Sequence, residues 1–210
     1  WNRYTHLVKD VLIPYQWDIL NDKLPDVETR HCIENFRIAA GEAEGDFEGA
    51  VFQDTDVAKW LEAVAYSLAV EPDEHLSYLA DKTINLIGRA QCEDGYLNTY
   101  FTIKDPSKRW TNLKEGHELY TAGHMTEAAV AYYKATGKTE FLDIMKKFAD
   151  LICRTFGPEE GQNHGYPGHQ EIELALIRLY HVTGNKKYLE TAKYFIDRRG
   201  VGENYFLEEE

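Results

Sequence analysis

Three times between residues 54 and 199 the chain runs out along an amphipathic stretch, alanine-rich in the first two copies, turns at a proline or glycine, and returns. The turn segments align as Pro72-Asp-Glu-His-Leu-Ser-Tyr-Leu-Ala, Gly137-Lys-Thr-Glu-Phe-Leu-Asp-Ile-Met and Gly184-Asn-Lys-Lys-Tyr-Leu-Glu-Thr-Ala. Apolar residues at helical spacing predict outgoing helices over Val57 to Ala69, His117 to Thr136 and His169 to Thr183. The returning helices are predicted over Leu76 to Gln91, Glu140 to Cys153 and Lys187 to Arg199. Upstream, Tyr4 to Leu24 reads as a helix with Leu7, Val11, Tyr15 and Ile19 on one stripe, interrupted by Pro14. Arg30 to Ala40 reads as a shorter one, and the glycine- and acid-rich run from Gly41 to Asp54 as a loop.

Repeated antiparallel hairpins either stack into an open solenoid or close into a double ring, the (α/α) barrel. The fold class is therefore all-α. In both arrangements the outgoing helices run parallel, so the ends marked by Asp54, His117 and His169 gather at one rim. The longest connectors, Cys92 to Gly116 and Arg154 to Gly168, feed that rim, which is where a site is expected.

Within His164-Gly-Tyr-Pro-Gly-His-Gln-Glu-Ile-Glu173, His169 is predicted to open a helix next to a turn that lets a ligand approach the backbone. His117 occupies the equivalent place one repeat earlier, and a neutral imidazole offers one donor and one acceptor to a hydroxyl. Weaker candidates for substrate contact are Asp54, Asp56 and Tyr96. Helix capping and the helix dipole also account for the two aspartates, and a small loop core also accounts for Tyr96. His117-Glu-Leu-Tyr-Thr-Ala-Gly-His124 lacks the histidine pair four apart of a zinc protease helix, so no metal site is read there. Asp54, Asp56, Glu118, Glu171 and Glu173 supply carboxylates, but spacing along a chain does not give the separation of a glycosidase pair.

A formal net charge of −13 argues against tracking a nucleic-acid backbone or an anionic membrane surface, and suits a neutral, hydroxyl-rich ligand. Cys32, Cys92 and Cys153 are odd in number and widely spaced, which reads as reduced thiols and a cytoplasmic setting. No apolar run reaches membrane-span length and the start lacks a signal-peptide core, although a signal removed before Trp1 leaves the same sequence.

The motifs Phe52-Gln-Asp-Thr-Asp-Val-Ala-Lys-Trp-Leu-Glu-Ala, Asp94-Gly-Tyr-Leu-Asn-Thr, His117-Glu-Leu-Tyr-Thr-Ala-Gly-His, Phe156-Gly-Pro, Gly165-Tyr-Pro-Gly-His-Gln-Glu-Ile-Glu-Leu-Ala-Leu and Tyr194-Phe-Ile-Asp-Arg-Arg-Gly occur in order. Together they resemble glycoside hydrolase family 127, whose characterised activity is β-L-arabinofuranosidase. The resemblance implies an (α/α)6 barrel acting as a retaining enzyme on terminal L-arabinofuranose or a related sugar. It also implies that His117 and His169 contact the sugar ring. It places the catalytic cysteine, its zinc and the acid/base glutamate downstream of this chain, and none of Cys32, Cys92 and Cys153 matches those positions. On this reading residues 1–210 are the N-terminal part of the barrel, a substrate wall that binds carbohydrate, lacks the bond-breaking groups and offers an open edge for self-association. A non-catalytic α-hairpin module and an (α/α)-barrel unsaturated uronyl hydrolase are the alternatives; the acidic substrate of the latter suits this charge poorly.

Overall fold

The N-terminal helix is assembled from α1 (Asn2–Leu7), a π-helical segment (Val8–Leu12) and α2 (Ile13–Leu20). The irregularity has a local cause. Pro14 carries no N–H and its ring crowds the preceding turn, and the widened turn ahead of it, in which the Ile13 N–H reaches back to the Val8 carbonyl, accommodates both effects. The structure, a computed structural model, describes residues 1–202 and 205–207. A short α3 follows (Cys32–Ala39), then the predicted hairpins: α4 (Asp54–Val70) with α5 (Glu74–Ala90), α7 (Glu118–Thr136) with α8 (Glu140–Thr155), and α9 (Ile172–Thr183) with α10 (Lys186–Arg198). Between the first two hairpins lies a six-residue helix, α6 (Thr99–Lys104).

The two members of each hairpin bury different amounts of surface, and this sorts them into layers. Helix α7 is buried almost all round, through Leu119, Ala122, Met125, Ala128, Ala129, Val130 and Tyr132, and packs between α4 and α9. Helices α8 and α10 each bury one stripe, Phe141, Met145, Phe148 and Ile152 in the first and Tyr188, Ala192 and Phe195 in the second. An amphipathic helix with a polar outer face belongs on the outside, and one that is buried throughout belongs within. The inner layer therefore runs α4, α7, α9 and the outer layer α5, α8, α10. The N-terminal helix packs on α4 and α3 on α5, which extends the alternation by one less regular pair. Trp60 fixes that junction, stacking on Trp17 at 4.6 Å and donating its indole N–H to the Ile13 carbonyl at 3.1 Å.

No β-strand forms among the described residues; one isolated bridge joins Phe156 to Asn163. None of the described helices is long and apolar enough to cross a membrane. The stripe predicted on the first helix is largely solvent-facing, with Leu7, Val11 and Tyr15 exposed.

Two segments differ from expectation. Helix α9 begins at Ile172, so His169 lies in the preceding turn. Its carbonyl accepts from the Glu171 N–H at 3.1 Å, a turn bond rather than a helical one. The connector 92–116 is not plain loop, because Asn98 caps α6 by accepting from the Phe101 N–H at 3.1 Å. The acidic end of the tail, Glu208 to Glu210, lies outside the described residues.

Candidate functional site

Position 117 carries a backbone that most side chains avoid. His117 precedes α7 with φ of 56°, in the left-handed region, where a Cβ crowds the following carbonyl. Its ring is held from one side: Nδ1 lies 2.5 Å from the Glu115 carbonyl oxygen. A carbonyl only accepts, so in the neutral ring Nδ1 carries the proton and Nε2 is left as an acceptor.

His169 arrives against that ring through backbone contact between two loops. The Gly168 N–H donates to the Leu113 carbonyl at 2.9 Å, and a Cβ at 168 would lie 2.3 Å from the Lys114 oxygen. Only glycine admits this approach. One residue later His169 stacks on His117, centroids 4.6 Å apart with planes 33° from parallel. Phe52, just ahead of α4, flanks His117 at 5.1 Å, and Tyr120, one turn into α7, touches both histidines at 5.7 Å and 5.4 Å.

The cluster continues along the exposed side of the inner helices. The Lys59 ammonium from α4 stands 5.6 Å over the Tyr120 ring, and His124 meets Tyr120 edge-on at 4.5 Å. His124 Nδ1 faces Glu171 Oε1 at 3.3 Å. Further along lie Glu62, Glu127 and Arg178, with Arg178 Nε 3.0 Å from Glu127 and Nη1 3.7 Å from Glu62. Burial, with Glu127 and Glu62 adding repulsion, pushes the Glu171 carboxyl up to about 7. Burial, followed by the Lys59 charge, holds His124 down at about 4.

The weaker candidates sit elsewhere. Asp54 does not cap α4; it is buried, and its carboxylate accepts from the Thr99 N–H at 2.8 Å and the Thr99 hydroxyl at 2.5 Å, fastening α6 to α4. Tyr96 is fully buried, its hydroxyl donating to Glu118 Oε1 at 2.5 Å. Both side chains are buried and spend their polar groups on partners within the fold. Asp56 is exposed, accepts from the Gln53 amide at 2.8 Å, and borders a groove between α2 and α4 together with Lys59.

A profile of the GH127 β-L-arabinofuranosidase catalytic domain matches residues 1–209. The chain belongs to glycoside hydrolase family 127. It is 44% identical to a non-reducing end β-L-arabinofuranosidase of Bifidobacterium longum subsp. longum, covering all of this chain and 34% of that protein. It superposes on a GH127 β-L-arabinofuranosidase of Geobacillus stearothermophilus T6 with a TM-score of 0.98 at 63% identity, over all of this chain and 33% of the other. A second GH127 β-arabinofuranosidase structure aligns with a TM-score of 0.88 at 39% identity, over 97% of this chain and 32% of the other. This GH127 chain thus spans about a third of the length of the relatives it matches, and its helices are part of the family's (α/α)6 barrel.

The family resemblance brings zinc with it, and the residues of this GH127 chain do not fit that ion. Among the described residues no three His, Cys, Asp or Glu side chains come together as a ligand set. Cys32 is buried, its thiol pushed up to about 12 by desolvation, the opposite of what a thiolate ligand needs. No step is derived through zinc. Phe52, Tyr120 and Lys59 were not singled out from the sequence. Tyr120 and Lys59 lie within helix interiors, where only the packing of α4 against α7 reveals which face stays open.

Proposed function

We propose that the whole protein removes terminal L-arabinofuranosyl residues, or those of a closely related sugar, with retention of configuration. In this reading residues 1–210 form one wall of its substrate pocket. The observation that carries the reading is the His117–His169 stack with His117 Nδ1 bound to a backbone carbonyl. It presents an imidazole nitrogen in a fixed orientation next to the faces of Phe52 and Tyr120, a combination suited to a sugar, whose hydroxyls need hydrogen-bond partners and whose C–H faces pack on rings. The groups that break the glycosidic bond are assigned to segments outside the chain, and the residues within it bind and orient.

The test is a titration of the purified chain with methyl β-L-arabinofuranoside, followed by NMR, beside His117→Ala and His169→Ala. Weak binding by the unaltered chain, a roughly tenfold loss in each variant, and no release of methanol are expected. Hydrolysis by the chain alone, or binding indifferent to both substitutions, overturns the assignment.

A further inference from the structure

We propose that Arg199 is a positioning residue for His169: its guanidinium holds the Pro167 carbonyl and so fixes where the imidazole stands against His117. The placement rests on contacts within the chain; its effect on a sugar rests on the carbohydrate reading above.

The segment that carries His169 has no helix or strand of its own. Residues 164–167 are irregular, with Gly165, Tyr166 and Pro167 buried and His169 exposed beyond them. Such a segment is placed by whatever its backbone groups bond to. The loop ahead of α7 holds one side, through the Leu113 carbonyl and the Gly168 N–H at 2.9 Å. The end of α10, within the run Tyr194-Phe-Ile-Asp-Arg-Arg-Gly, holds the other. Arg198 Nε donates to the His164 carbonyl at 3.2 Å, the Tyr194 hydroxyl reaches the Gly165 carbonyl at 3.5 Å, and Arg199 Nη2 donates to the Pro167 carbonyl at 2.5 Å. The shortest of the three lies nearest to His169, two residues before it.

Arg199 is itself fixed on two further sides. Its guanidinium carbon lies 4.9 Å from the centre of the Tyr166 ring, and Nη2 lies 3.7 Å from Glu173 Oε1. Glu173 stands in the first turn of α9 and is buried, and neither of its carboxylate oxygens has a hydrogen-bond partner among the described residues. The nearby Arg199 charge is therefore what offsets its burial, by attraction and not by a bond. A planar fork can meet a carbonyl in its plane while its face lies on a ring, which an ammonium cannot do at once. Without Arg199 the segment keeps its ties at His164, Gly165 and Gly168, so the fold survives, while the residues leading into His169 lose one fixed end.

The experiment compares the 210-residue chain with Arg199→Met, which keeps the aliphatic stem and removes the charge and donors, with Arg199→Lys, and with Gly137→Ala at the opposite end of α7 from His117. Two quantities are read by NMR: ring-to-ring NOEs between His117 and His169, and affinity for methyl β-L-arabinofuranoside. Arg199→Met is expected to lose the NOEs and roughly threefold to tenfold in affinity, Arg199→Lys to recover part of both, and Gly137→Ala to change neither despite its cost in stability. NOEs and affinity retained in Arg199→Met overturn the proposal, and so does an equal loss in Gly137→Ala, which marks a general loosening. Should Arg199→Met not fold, the unaltered chain still decides. Arg199 guanidinium protons resolved singly, with NOEs to Tyr166, support the hold on the turn, and a freely rotating guanidinium overturns it. If the unaltered chain binds no sugar, the carbohydrate reading fails, and the ring NOEs alone then decide whether Arg199 places His169.

Discussion

The Tyr96 hydroxyl donates to the Glu118 carboxylate across 2.5 Å of protein interior, and the other carboxylate oxygen accepts the Trp110 N–H at 2.7 Å. Glu118 follows directly on His117, so the start of α7 is tied at both oxygens to the 94–110 loop. Arg109 lies 3.9 Å over the Tyr96 ring and completes the clasp. Glu118→Ala strands a buried tyrosine hydroxyl and a backbone N–H. A loss of about 2–4 kcal/mol in urea unfolding is expected. Glu118→Gln retains an acceptor for Trp110 and should lose less than half as much.

Asp54 and Glu118 are pushed up to about 6 and about 7, burial being the largest cause in each. Their unfolded values are near 4, so between about pH 4 and pH 7 the folded chain holds more protons than the unfolded one. The stability each group contributes is complete below its unfolded value and is lost as pH rises through the folded value. Asp46, Asp73 and Asp143, lowered by Lys104, the Leu76 N–H and Lys146, act in the opposite sense and lose their contribution as pH falls through the acidic range. Thermal melts across pH should therefore show a maximum in the mildly acidic range and a decline towards neutrality. Asp54→Asn combined with Glu118→Gln should flatten that decline; a slope left unchanged would dismiss these two carboxyls as its source.

The left-handed backbone at His117 opposes stability while serving placement. His117→Gly removes the ring but relieves the strain, whereas His117→Ala removes the ring and keeps it. The glycine variant should be the more stable of the two by about 1 kcal/mol, with both equally poor in sugar titrations. Paired chemical melts of the two proteins give the difference directly.

Gly123→Ala inserts a methyl where Glu171 Cγ and the Ile172 backbone already stand. A cost of about 2–3 kcal/mol is expected, together with displacement of Glu171 from His124. Gly137→Ala is the control, because nothing lies within 4 Å of a Cβ there and only the φ of 74° resists it, at about 1 kcal/mol. Equal losses in the two would refute the close contact.

Much of the hairpin plan is written in local patterns. Gly137 and Gly184 end α7 and α9 where the turn alignment put them. The meeting of His117 and His169 followed from repeat equivalence alone. The errors came where a distant partner decides. Asp54 has the sequence context of a cap, yet Thr99, 45 residues on, takes its carboxylate. Tyr96, by contrast, packs on Trp110 and Phe148 as the loop-core reading has it; what the sequence did not show is its bond to Glu118. The start of α9 slipped by three residues because Gly168 is tied to Leu113 and the chain turns at His169, whose carbonyl takes the Glu171 N–H, before the helix begins.

The small residues buried on α7, Ala122, Gly123, Ala128 and Ala129, bring its neighbours close. In the closed ring of the family's barrels, the spacing of inner helices sets the circumference, and the circumference sets the bore at the centre. These few missing methylenes are thus a gauge. They set how closely α4 and α9 approach α7, so enlarging them would widen the array before it altered any group on its open face.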